Sequence, residues 1–104
     1  MKRGEVLWAN LPAPLGRRPV VLLSRDTAYA VRSSVTVAPV TRTVHDIPVE
    51  VPLGPEDGLP QRCVVNLDGI ATIPKKALDR SLTALSPEKM RLIDQAIRFA
   101  LALR

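Results

Sequence analysis

Two clusters in the first 45 residues have the residue types and spacing to handle a phosphate. Arg17-Arg18 stands at the mouth of an apolar run, Pro19-Val20-Val21-Leu22-Leu23, that ends on Ser24. A second run, Val35-Thr36-Val37-Ala38-Pro39-Val40, ends on Thr41-Arg42-Thr43. A guanidinium can donate two parallel hydrogen bonds to non-bridging phosphate oxygens. A threonine hydroxyl adds a neutral donor. Groups carried at the ends of rigid strands keep a fixed direction. Arg18 and Thr41 are therefore expected to meet across neighbouring strands and hold a single phosphate.

Other chemistries lack their residues. A zinc site takes three or four His, Cys or carboxylate ligands, and this chain has one histidine and one cysteine. Glu56-Asp57 is the one acidic pair close in sequence, and it falls in a turn-rich stretch. Neither a Walker-type loop nor a GxGxxG fingerprint occurs. Cys63 and His45 could formally make a thiol–imidazole pair, but Cys63 opens a β-rich run where a small buried residue is expected. What remains is catalysis by placed charge. RNA suits it, because its own 2′-hydroxyl is the nucleophile. Arginine stays protonated and cannot serve as the base. His45 has the right ordinary pKa but falls in an expected loop, where a solvated imidazole is the competing reading. Asp68 is the other candidate, and Asp68-Gly69 is equally a turn signal.

The positioning elements read as mainly β. Strands are expected at Glu5–Leu11, Val20–Ser24, Ser33–Val40, Cys63–Leu67 and Ile70–Ile73. Ile47–Pro52 alternates and carries two prolines, so it reads as an edge strand. Gly54–Pro60 is a turn, and Ser24 or Asp26 can cap a brief helical turn over Thr27–Ala30. Pro74–Arg80 is expected as a short helix or turn. A real helix follows, with Ser86 as N-cap and Pro87 at the first helical position. Met90, Ile93, Ile97 and Leu101 form one apolar stripe on it, and Leu92, Ala96, Phe99 and Leu103 a second. So broad a face either packs on the sheet or joins two copies. Short strands with ten prolines near their ends point to a small barrel or curled sheet.

At 104 residues one domain, 1–104, is expected. The net charge of +5 is unevenly spread: residues 1–45 carry seven Lys and Arg against Glu5 and Asp26, while residues 46–104 balance. A one-sided positive field draws polyanions. Only Trp8, Tyr29 and Phe99 are aromatic, too few for a protein that reads nucleic acid by aromatic stacking. A lone cysteine, no leader-like start and no apolar run of membrane-spanning length imply a cytosolic chain.

Arg3-Gly4-Glu5-Val6, Arg18-Pro19-Val20-Val21-Leu22, Val37-Ala38-Pro39-Val40-Thr41 and Val65-Asn66-Leu67-Asp68 with Thr72-Ile73 stand in an order and spacing that resembles the MazF/PemK toxin family. The resemblance implies an SH3-like β-barrel with short helices and a C-terminal amphipathic helix, and a homodimer within a toxin–antitoxin module. It also implies endoribonuclease cleavage of single-stranded RNA, mainly mRNA, with no metal or cofactor, leaving 2′,3′-cyclic phosphate and 5′-hydroxyl ends. On this resemblance Arg18, Thr41 and Asp68 are the catalytic candidates. RNA contacts are expected from Arg17, Arg42, His45 and Ser24, and the partner is an acidic antitoxin. The loop before Arg17 is short and lacks the Gly/Glu-rich insert of many members. Leu7 and Asn10 replace a frequent aromatic and a frequent aspartate, and Asn66 and Ala71 stand where some members carry basic residues. Two other functions compete: a non-catalytic toxin of the same fold that jams a protein such as gyrase, and a plain nucleic-acid-binding barrel.

Overall fold

A computed structural model describes all 104 residues. Its seven strands are β1 (Glu5–Asn10), β2 (Arg17–Leu22), β3 (Ser34–Thr41), β4 (Glu50–Leu53), β5 (Cys63–Asn66), β6 (Ala71–Pro74) and β7 (Leu78–Ala84). Two helices, α1 (Ala28–Val31) and α2 (Pro87–Ala100), and 3-10 turns at Pro55–Asp57, Leu67–Gly69 and Lys75–Ala77 complete the chain. The strands form an antiparallel sheet in the order β4-β5-β3-β2-β1-β7, with β6 also paired to β3. The mainly-β expectation holds. The closed barrel does not form: β4 pairs only with β5 and β7 only with β1, so the path stays open.

β3 is the hub. Along one edge it pairs with β2, from Leu22 opposite Val37 to Val20 opposite Pro39. It also pairs with β6 over Ser34–Val37 and with β5 over Val40–Thr41. β5 and β6 therefore act as one long strand broken by the turn at Leu67–Gly69, which inserts three residues more than an unbroken ladder would need. The bend is made against Pro39. A Cβ at Gly69 would lie 2.7 Å from the Pro39 ring, so only glycine fits there. The expected Asp68-Gly69 hairpin is thus replaced by a 3-10 turn, because both flanking strands need β3 rather than each other.

Three further expectations change. The second strand begins at Arg17, not Val20, because β1 pairs with it out to Asn10 opposite Arg17. The edge strand is shorter than Ile47–Pro52, although β4 does lie at one end of the sheet. Within Pro74–Arg80 only Lys75–Ala77 form a 3-10 turn, which runs straight into β7, a mostly exposed strand paired to β1 through two irregularities. Its sequence, LDRSLTA, has no apolar run to announce it, as suits a sheet edge guarded against pairing with other chains.

Both faces of the sheet are packed. Val6, Val21, Ala38, Val40 and Val65 join Ile93 and Ala96 of α2 in the larger cluster, while Leu7, Val20, Leu22, Val35 and Val37 gather around Tyr29. Burial on both faces explains why Val20–Leu22 reads as an unbroken apolar run. α2 starts where expected: Pro87 is its first residue and the Ser86 hydroxyl accepts from the Lys89 N–H at 3.1 Å. It lies over the Leu67 turn and β4. Its first stripe is the packed one, through Ile93, Met90 and Ile97. Of the second stripe only Ala96 is buried, leaving Leu92 45% and Phe99 62% exposed. No helix is long and apolar enough to cross a membrane. Ile93 has no exposed surface, so Ile93→Ala is expected to lower stability by about 2–5 kcal/mol. A urea titration followed by far-UV circular dichroism measures this as a lower midpoint at unchanged slope.

Candidate functional site

The site lies where β2 and β3 part. Their ladder ends at Val20 opposite Pro39. Beyond that point Arg17–Pro19 stay with β1, while Val40 and Thr41 turn to β5. Pro19 and Pro39 stand at the fork and neither has an N–H to extend the ladder. Between the separated strands opens a groove of about 530 Å³. Trp8, Arg17, Arg18 and Pro19 line it from one side, Val40 to Thr43 from the other, and Leu59, Pro60, Gln61 and Cys63 close the end. No carboxylate lines it.

Arg18 and Thr41 border this one groove. Continuing the antiparallel register of β2 and β3 outward by two residues sets them opposite each other. Arg18 donates from Nε to the Leu15 carbonyl at 3.0 Å and makes no ion pair, which leaves its terminal nitrogens for a ligand. The Thr41 hydroxyl oxygen accepts from the Thr43 N–H at 3.2 Å. That contact uses the oxygen as an acceptor and leaves the hydroxyl's own hydrogen available to donate. Arg42 is steadied by the Gln61 side-chain oxygen at 2.9 Å and also lacks a carboxylate. Arg17 differs. It is ion-paired to Asp79 at 2.9 Å, bonded to Asn10 at 3.1 Å, and lies 5.1 Å over the centre of the Trp8 ring.

Three of the residues singled out in the sequence lie outside the groove lining. The Ser24 hydroxyl accepts from the Thr36 N–H at 2.8 Å and its carbonyl from the Tyr29 hydroxyl, so it ties β3 to the loop after β2. Asp68 sits exposed on the 3-10 turn, its N–H bound by Asn66. His45 is exposed, and its N–H and that of Asp46 both donate to one oxygen of the buried Glu50, at 2.9 and 2.8 Å. Glu50 thereby fixes the segment leading away from Thr43, with Asp46 at φ +55°. The thiol–imidazole pair is not assembled: Cys63 lines the groove and His45 does not. No three His, Cys, Asp or Glu side chains gather at metal-ligating spacing. Sequence reading missed Gln61, Trp8 and Asp79. Leu59 to Gln61 follow a glycine- and proline-rich turn whose path is set by tertiary packing, and Asp79 lies on the unannounced β7.

Residues 2–101 match the family described as the PemK-like, MazF-like toxin of type II toxin–antitoxin systems, and the chain belongs to that family. It is 41% identical over 99 residues to the probable endoribonuclease MazF5 of Mycobacterium tuberculosis, covering 94% of this chain and 90% of that one. The probable endoribonuclease MazF2 of the same species is 38% identical, with 94% and 95% covered. The solved M. tuberculosis toxin MazF-mt6 superposes with a TM-score of 0.89 at 34% identity, over 96% of this chain and 98% of its own. A mycobacterial endoribonuclease in complex with its cognate antitoxin gives 0.89 at 31% identity, over 100% and 97%.

Burial pushes the Cys63 thiol up from its ordinary 9.0, with Asp57 and Glu56 adding to the shift. The thiol therefore stays protonated at neutral pH, although it borders the groove. Iodoacetamide at pH 8 is expected to alkylate it far more slowly than in the urea-unfolded chain. The raised value also carries a sign. This contribution to stability is whole below pH 9.0, where both states keep the proton, and is lost as pH rises through the folded thiol's higher pKa. Urea midpoints should stay level to pH 8 and fall by pH 10, and Cys63→Ala should shrink that fall.

Proposed function

We propose that this chain is the toxin of a type II toxin–antitoxin pair and an endoribonuclease that cuts single-stranded RNA, chiefly mRNA, without a metal. The observation that carries this reading is the groove itself. An unpaired guanidinium, Arg18, and an oriented hydroxyl, Thr41, border it in the absence of any lining carboxylate. That donor set suits a phosphodiester and repels nothing in it. Kinship with proteins named endoribonucleases supports the substrate class.

In this scheme the scissile phosphate lies between β2 and β3. Arg18 donates to its non-bridging oxygens, and Thr41 donates a third hydrogen bond. Both strengthen as negative charge builds on those oxygens in the five-coordinate transition state. The 2′-hydroxyl passes its proton to a water molecule and bonds to phosphorus. The bond from phosphorus to the 5′-oxygen breaks, and that oxygen takes a proton from water. The products are a 2′,3′-cyclic phosphate and a 5′-hydroxyl. Arg42 steers the neighbouring phosphate. Asp68, His45 and Ser24 stand outside the groove lining and take no part in this proposal.

A cognate antitoxin fits the same surface, since an acidic, partly disordered segment meets the charge that RNA meets. The exposed Leu92 and Phe99 of α2 support self-association into a homodimer. A single toxin domain over 1–104, kin to SH3-like barrels and working in the cytoplasm, completes the proposal.

Pure protein incubated with a defined RNA in EDTA should cut it, and end mapping should find cyclic phosphate and 5′-hydroxyl termini. Arg18→Ala should lower the rate by about 10²–10³-fold with thermal unfolding little changed. Thr41→Val, which keeps the branched shape and deletes the hydroxyl, should act in the same direction, and Thr41→Ser should recover most of the activity. Cutting that appears only on adding magnesium would overturn the metal-free scheme. RNA left intact by a protein that still arrests growth would favour a protein target instead.

A further inference from the structure

Arg17, Arg18 and Arg42 border one groove but are held in different ways. Arg18 and Arg42 have no carboxylate partner. Arg17 has its Nη1 committed to Asp79 at 2.9 Å and to Asn10 at 3.1 Å, and its guanidinium lies 5.1 Å over the Trp8 ring. The side chain remains 41% exposed. Tethered through Nη1 to two acceptors and resting near the Trp8 ring, the planar guanidinium is a held group rather than a mobile charge.

We infer that this Arg17 plane is a stacking platform for a nucleobase flanking the cleaved phosphate. The inference rests on the RNA-cleavage reading above. A phosphate brought to Arg17 would meet the Asp79 carboxylate already there, and like charges at that range repel. A nucleobase is neutral and flat, so it meets no such repulsion. Guanidinium planes do stack on bases. A guanidinium resting near Trp8 also gives a chain with three aromatics a further flat surface for unpaired RNA. The three arginines thus divide the work, with Arg18 and Arg42 on phosphates and Arg17 on a base.

The test compares wild type, Arg17→Ala and Arg17→Lys on a short cleavable RNA. The RNA is used intact and then with an abasic nucleotide at each position flanking the cut. In wild type, one abasic position should lower kcat/KM by about tenfold. Arg17→Ala should show a similar loss on intact RNA and no further loss on that abasic RNA. Arg17→Lys should do no better than alanine, because an ammonium has no plane. Since the lysine keeps a charge for Asp79, it also guards against misfolding of the alanine variant. Binding of an RNA made uncleavable by a 2′-deoxy nucleotide at the cut should weaken with salt along the same slope in all three proteins. The inference is overturned if lysine restores the wild-type rate, or if alanine and abasic losses multiply at every position. A salt slope shallower by about 0.7 in Arg17→Ala would likewise mark a phosphate contact. Wild-type protein that cuts none of these RNAs overturns the RNA-cleavage reading rather than this assignment.

Discussion

The separation of β2 from β3 at Pro19 and Pro39 governs the rest of the molecule. Backbone pairing continues on the outer side of each strand, β1 against Arg17 and Arg18, β5 against Val40 and Thr41, and stops between them. Two strand edges facing each other without bonding leave a cleft with rigid walls. A flexible loop could bring the same side chains to the surface but could not fix their direction. The bend that carries β3 toward β5 depends in turn on Gly69, where the Pro39 ring takes up the room a side chain would need. A proline that ends one ladder therefore also shapes the turn between the two strands on the opposite edge.

Electrostatics follow from this geometry. Arg17, Arg18 and Arg42 border the cleft, and their mutual repulsion is relieved unequally. Asp79 offsets Arg17, a neutral amide steadies Arg42, and a carbonyl holds Arg18. Exposed pairs such as Arg17–Asp79 contribute little to stability, about 0–1 kcal/mol. Their effect here is directional: one guanidinium is quenched in place and two are left with their field open to the groove. Screening by salt weakens such a field over roughly 8–10 Å at physiological ionic strength, so it acts on ligands already close to the fork.

Much of this was legible in the residues, for identifiable reasons. Val20–Leu22 announced a buried strand because burial on both faces leaves no alternation to misread, and Val35–Val40 announced one through its β-branched residues. Ser86-Pro87-Glu88 announced a helix start because capping is local chemistry. Strand β7 was silent because Leu78–Ala84 is half-exposed at a sheet edge and needs no apolar pattern. With it Asp79 was hidden, and so was the distinct state of Arg17. The Asp68-Gly69 dipeptide pointed to a hairpin by its own preference, yet β3 recruits both flanking strands, and tertiary pairing overrode the local signal. The family resemblance puts His45 and Ser24 among the expected RNA contacts. Their observed contacts are to Glu50 through a backbone N–H and to Thr36 through a hydroxyl, contacts between segments that sequence spacing does not encode.

The groove is also where the chain departs most from what stability alone would select. Over the centre of the sheet the β1–β2–β3 ladders are regular and both faces are filled largely with Val and Leu. At the fork, ladder bonds are given up, cations are gathered, and the Thr43 N–H is spent on orienting a single hydroxyl. Glu50 extends the pattern: one carboxylate oxygen holds two consecutive N–H groups of the segment beyond Thr43, while the other is enclosed without a partner. An enclosed polar atom of that kind costs about 1–3 kcal/mol. Such local departures from good packing persist where a surface must present fixed donors to something else. Here they converge on the strand ends that carry Arg18 and Thr41, and on the segment that holds Thr43 in place.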